Sequence, residues 1–342
     1  MSATRRQFLA HSGPAAILAA AQTKIRPGSV RMGLYGITYS GLWYRGRPLT
    51  VEELIDRAQQ YGYQGVELDG KRPHGYPPDM PPARCREVRR YAAGKGIEIY
   101  AVSANNDFSS PIPEHRETQL VYMRELLRVS AELGAKVVRV FLAWPGVTKI
   151  PGQGGTYEHA RKVFALEHEG FSEEQVWEWC RDGMRECARY ARDFGVTLGL
   201  QNHKPVIKDY RDVLRMVREV DSPNLKVVYD APLMDDKSEA AIRRAAFEVG
   251  GLQVASHFGG EFDRAPGGAV VSKGSEIYPY FIRAMLDIGY RGYIGYELCH
   301  PLPVVDGNTV GLEFAEKNAQ LAAEFMRGVI ADAEKAPRRN QA

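Results

Sequence analysis

The chain has 342 residues, 44% hydrophobic and 25% charged, with a formal net charge of +3. That composition belongs to a globular chain long enough for one large domain or two modest ones. Its weak, scattered positive charge speaks against a nucleic-acid surface. Its four cysteines lack CxxC or zinc-ribbon spacing, which speaks against a thiolate metal centre.

In chain order, Thr4-Arg5-Arg6-Gln7-Phe8-Leu9 comes first, followed by a short apolar run from Ala15 that closes on Ala19-Ala20-Ala21. The pattern resembles a twin-arginine export signal and is too short to span a bilayer. Residues 1–21 are therefore expected to be a leader, and the remaining chain a periplasmic or secreted protein with no membrane span. Beyond the leader, a helical stretch repeatedly closes on a glycine and is followed within a few residues by a β-branched run. Gly62 precedes GVELD, Gly96 precedes IEIYAVS and Gly134 precedes KVVRVFLAW. Gly195 precedes VTLGLQNH, Gly250 precedes LQVASHF and Gly289 precedes YIGYEL. Glycine is the favoured left-handed cap after a helix, and apolar runs of this kind suit parallel strands covered on both faces.

RMGLYGITY near the start and LKVVYDA after Asp221-Ser222-Pro223-Asn224 bring the strands to eight. Thr50-Val51-Glu52-Glu53 and Ser172-Glu173-Glu174-Gln175 read as capping boxes. Eight strand–helix units over residues 30–334 predict an α/β fold, a single (β/α)8 TIM barrel. A doubly wound sheet is the competitor, but no GxGxxG follows the first strand. Residues 143–170, through WPGVTKIPGQGGTYEH, are too rich in Gly and Pro for a helix and read as a long loop, a lid or partner-binding insert. Residues 335–342 read as a disordered tail.

In such a barrel, chemistry sits where the strands finish. Glu67 and Asp69 end the second strand, and Asn105, Asn106 and Asp107 follow the third. Trp144 follows the fourth. Gln201 and His203, two apart and so on one side of the fifth strand, are followed by Asp230, His257 and Glu297 at the ends of the last three. Gln201, Asp230, His257 and Glu297 form a candidate metal set of mixed oxygen and nitrogen donors. Such a set suits one divalent ion, Mn²⁺ first, with Mg²⁺, Co²⁺ or Zn²⁺ as alternatives. Lys71, His74, Asn105, Asn106, Trp144 and Arg264 are candidate substrate contacts. Turn and core roles compete for the first five, and a surface ion pair for Arg264. Glu297 stands out, because an unpaired carboxylate in an apolar strand is costly.

The motifs QNH, VVYDAP, VASHF and GYELC, one per strand and in order, resemble the xylose-isomerase-like barrel superfamily of sugar isomerases and epimerases. ELDGKRPHG and SANNDFSSP add similarity to exported relatives acting on keto-sugars. The resemblance spans residues 31 to about 327. It implies a divalent ion held by Glu, Asp, His and Glu, with the first Glu also moving a proton. This chain departs there, since Gln201 cannot act as a base. His203, one step nearer the mouth, is the expected base, with Glu297 as ligand and second catalytic group. With two ligand carboxylates instead of three, a bound ion would be the stronger Lewis acid for an enolate.

The expected function is a metal-dependent isomerase, epimerase or lyase removing a proton next to the carbonyl of a sugar or keto-sugar, such as a 3-keto-glycoside. A phosphodiesterase or endonuclease-like barrel and a non-catalytic sugar-binding relic are the alternatives. The expected partner is a small carbohydrate, without nucleic acid; homo-oligomerisation is left open.

Overall fold

The computed structural model describes residues 29–274 and 276–335. The expected leader and residues 336–342 of the expected tail lie outside the described residues. Eight parallel strands carry the architecture: β1 (Arg31–Tyr35), β2 (Gly65–Asp69), β3 (Glu98–Ser103), β4 (Val137–Val140), β5 (Thr197–Gln201), β6 (Leu225–Val228), β7 (Ser256–Gly259) and β8 (Tyr293–Glu297). They are hydrogen-bonded in the order β6-β5-β4-β3-β2-β1-β8-β7. The two edges meet between Val227 and Gln253, a parallel bridge in which Val254 donates its N–H to the Val227 carbonyl at 3.0 Å. At this seam the Gln253 side chain supplies ladder bonds of its own. It accepts from Tyr229 N at 3.0 Å and donates to Tyr229 O at 3.1 Å. Buried backbone groups must be paired, and here an amide side chain pairs them. The seventh strand, expected from Leu252, accordingly joins the ladder only at Ser256.

The helices are α1 (Val51–Tyr61), α2 (Pro82–Gly94), α3 (Pro113–Leu133), α4 (Glu158–Glu167), α5 (Glu173–Phe194), α6 (Tyr210–Val220), α7 (Glu239–Val249), α8 (Tyr278–Asp287) and α9 (Leu312–Lys335). The capping boxes of Thr50 with Glu53 and of Ser172 with Gln175 open α1 and α5. Gly62 and Gly195 close these two helices in the left-handed region, at φ 78° and 66°, where a side chain would cost energy.

Within the strands, fully buried Val66, Leu68, Val138, Val140, Leu198 and Leu200 alternate with Glu67, Asp69, Arg139 and Gln201. The apolar set packs beneath the helices, and alternation turns the polar set into the lumen. Space for that set depends on two glycines. A Cβ on Gly33 or Gly295 would run into Tyr100, which crosses the lumen and donates its hydroxyl to Glu67 at 3.2 Å.

One expectation is corrected. Within residues 143–170, Thr148–Ile150 pairs with Gly154–Thr156 as a short antiparallel hairpin, and α4 follows. The Gly- and Pro-rich part ends at Thr156, and the next ten residues contain neither, so nothing prevents a helix there. Among the described residues no helix is long and apolar enough to cross a membrane.

Candidate active site

Arg139 lies at the centre of the lumen, 3% exposed. A guanidinium so deeply buried must be paired. Its Nε donates to Glu67 Oε1 at 2.9 Å and its Nη1 to Gln201 Oε1 at 2.8 Å. Its cation also lies 4.6 Å from the Tyr35 ring centre and 5.3 Å from that of Phe141. Gln201 turns its amide nitrogen the other way and donates to Asp230 Oδ2. Asp230 Oδ2 also faces His257 Nδ1 at 2.8 Å, while Oδ1 accepts from the Ser256 hydroxyl and the His257 backbone N–H. His257 Nε2 reaches Glu67 Oε2 at 2.8 Å, closing the ring. Both imidazole nitrogens thus face carboxylate oxygens, which accept and do not donate.

The electrostatics follow from this wiring. Burial disfavours a charged His257, yet the Asp230 and Glu67 carboxylates outweigh it and raise its pKa to about 10. Burial likewise opposes ionisation of Glu67, but Arg139 and His257 pull its pKa down to about 2. Within the ring the Arg139 and His257 side chains thus face the Glu67 and Asp230 carboxylates. Glu297 is different, because burial raises its pKa against the opposing pull of His257 and Arg139. Its carboxyl holds a proton more readily than an exposed one would.

A cavity of about 660 Å³ adjoins this network. Arg139, Gln201, Glu297, His203, Lys71 and Asn105 line it among the aromatic rings of Tyr35, Trp43, Phe141, Trp144, Tyr157 and Phe164. Aromatic walls with a few convergent polar groups are the usual make-up of a small-molecule site. The loop after β4 supplies Trp144 and Tyr157, and α4 supplies Phe164. The Trp43 indole Nε1 is buried with no hydrogen-bond partner among the described residues.

His203 is wedged against Phe141 and Trp144, with ring centres 5.2 and 5.1 Å away. Its Nδ1 faces the Lys204 carbonyl, an acceptor only, so Nδ1 carries the proton and Nε2 the lone pair. Burial lowers its pKa to about 4, partly offset by that carbonyl. It is a neutral imidazole at ordinary pH.

The remaining expected residues divide. Lys71 and Asn105 form a cluster with Asp69: Lys71 Nζ lies 3.0 Å from Asp69 Oδ2 and donates to Asn105 Oδ1 at 2.9 Å, while Asn105 donates to Asp69 Oδ1 at 2.8 Å. Asn106 is fully buried and brackets the Phe141 backbone, donating to its carbonyl at 2.6 Å and accepting from its N–H at 3.1 Å. His74 is buried beside Gly36 and is not among the residues that line the cavity. Arg264 is half-exposed and pairs with Glu324 at 2.7 Å.

Arg139 and Glu67 are the residues that sequence reasoning passed over as site groups. The signal for Arg139 was the one that singled out Glu297, a lone charge between apolar neighbours in a strand, here Val138-Arg139-Val140.

The expected metal set does not fit a divalent ion in this arrangement. Gln201 Oε1 is engaged by Arg139, both His257 nitrogens by carboxylates, and both Asp230 oxygens by donors. Among the described residues no three His, Cys, Asp or Glu side chains are grouped to hold a metal.

Comparison with known proteins agrees with the architecture. D-Psicose 3-epimerase from Clostridium cellulolyticum H10 superposes with a TM-score of 0.66 at 20% identity, over 88% of this chain and 99% of that one. The 3-keto-D-glucoside 4-epimerase of E. coli superposes with a TM-score of 0.62 at 17% identity, over 90% and 100%. A xylose isomerase from Thermus thermophilus is 26% identical over 153 residues, 42% of this chain and 35% of that protein. The chain thus matches about a third of that relative's length. The description "Xylose isomerase-like TIM barrel" matches residues 55–329, from within α1 to within α9, and so takes in seven of the eight strands. The chain belongs to the xylose isomerase-like TIM-barrel family.

Proposed function

We propose that the protein is a sugar isomerase or epimerase that transfers a proton at the carbon next to a carbonyl. The observation that carries this reading is a neutral imidazole, His203, and a carboxyl whose burial favours its protonated form, Glu297, lining one aromatic-walled cavity. In the forward step the C–H bond breaks, its proton passes to His203 Nε2, and its electron pair moves to the carbonyl oxygen. Glu297 gives its proton back to carbon or to oxygen, and solvent restores both groups. β6 and β7 separate the two side chains around the wall, so they approach a bound sugar from different strands.

Trp43, Trp144 and Phe164 support ring stacking, and Lys71 and Asn105 support hydroxyl binding. The epimerases of psicose and of a 3-keto-glucoside among the structural neighbours support a keto-sugar substrate. The divalent ion implied by the sequence resemblance has no free ligand set here, and this reading assigns it no step. The Thr4–Leu9 pattern supports action outside the cytoplasm, which fractionation of expressing cells checks.

The test is incubation with free ketoses and 3-keto-glycosides in deuterated water, followed by NMR. Deuterium should enter beside the carbonyl, with an epimer or isomer as product. Release of the aglycone instead would mark elimination, which shares the first step. No exchange and no product on any member of the panel overturns the reading.

A further inference from the structure

We propose that the Arg139 guanidinium is the resident cation of this barrel and holds the substrate oxyanion, in place of a divalent ion. The inference rests on the reading of the cavity as a keto-sugar site.

Three observations converge on Arg139. The first is placement: it projects from β4 into the lumen and also lines the cavity. The second is support. Nε and Nη1 are held by Glu67 and Gln201, and the Tyr35 and Phe141 rings flank the cation. A guanidinium carries five N–H donors in a rigid plane and stays charged in proteins. With two directions fixed by the protein, the remaining donors are preorganised for a ligand oxygen on the cavity side. Fixed donors aimed at developing negative charge are the usual means of stabilising an enolate.

The third observation explains Gln201. Its amide accepts from Arg139 and donates to Asp230 at once. A carboxylate at that position accepts only, and would set a second negative charge against Asp230. The amide and the arginine therefore belong to one arrangement, in which Gln201 bridges the Arg139 guanidinium and the Asp230 carboxylate while Glu67 holds the other side of the guanidinium. A metal ligand set would need those same lone pairs free.

The proton balance of the step is unchanged. The C–H proton goes to His203, the electron pair to the substrate oxygen, and the resulting negative charge lies against the guanidinium. No redox partner enters.

The test has a metal arm and an anion arm. Protein from manganese-supplemented culture is submitted to elemental analysis, and Mn²⁺ is titrated into it with detection by electron paramagnetic resonance. The expected result is no stoichiometric metal and no loss of the free Mn²⁺ signal. One bound ion per chain overturns the proposal. In the anion arm, D-gluconate, with a planar carboxylate in place of a carbonyl, is titrated by calorimetry in EDTA. Wild-type protein should bind it, Arg139→Met should weaken binding on the order of 10- to 100-fold, and Arg139→Lys should fall between, having lost the planar fork. Equal binding to wild type and Arg139→Lys, or no binding to wild type, overturns the oxyanion role. If Arg139→Met fails to fold, Arg139→Lys and the metal arm still decide. Gluconate binding without proton exchange on any ketose would sink the proposed function while leaving the Arg139 site standing.

Discussion

At the scale of single residues, His203 and Gln201 carry the sharpest consequences. His203 presents a lone pair at Nε2 only while it is neutral. With a pKa near 4, kcat/KM should fall as pH drops through about 4, and should fall again on the alkaline side as Glu297, the proton donor, ionises. His203→Ala should lose the acid limb together with roughly 10²- to 10⁴-fold in kcat, measured alongside circular dichroism to show the fold intact. A variant of full activity would remove His203 from the mechanism. Gln201→Glu turns a donor into an acceptor opposite Asp230. It should lower unfolding stability by about 1–3 kcal/mol in urea titration.

At the scale of elements, the segment after β4 and the hairpin after β7 make opposite contributions. Trp144 stacks on Phe141 with ring centres 5.0 Å apart and meets Tyr157 edge-on at 6.1 Å, so the residues flanking the hairpin, with Arg161 and Phe164 of α4, shape one cavity wall. Trp144→Ala should raise KM for a keto-sugar by about 10-fold with little change in kcat, the mark of binding lost equally in ground and transition states. The strand Glu261–Arg264 pairs with Val270–Lys273, and its Arg264 reaches out to Glu324 of α9. Exposed ion pairs contribute about 0–1 kcal/mol. Arg264→Ala should leave both melting temperature and turnover nearly unchanged, and a loss of turnover would return Arg264 to the site.

For the whole molecule, the lumenal network ties stability to pH. His257 has a folded pKa raised to about 10, so its contribution is complete below the ordinary histidine range, about 6.5, and is lost as pH climbs through about 10. Glu67, lowered to about 2, contributes fully above its ordinary value of 4.5 and loses that contribution as pH falls through about 2. Melting temperature should therefore decline from neutrality toward pH 10, and the nitrogen chemical shifts of His257 should still report imidazolium at pH 9. A neutral His257 at pH 7 would break this account. The barrel itself was readable in one dimension. Glycine stops, capping boxes and apolar runs are local signals, and eight of them in series leave few topologies. The strand-end residues were readable too, because period-2 alternation assigns Gln201 and His203 to one side. Their pairing was not. Whether Gln201 faces a metal or a guanidinium depends on Arg139, 62 residues earlier, and whether His257 is neutral or charged depends on Glu67, 190 residues earlier. Chain order dictates the frame because hydrogen-bonded periodicity is local. The charge state of the lumen belongs to folding, because Coulomb interactions act through space and only closure of the barrel brings those groups within reach.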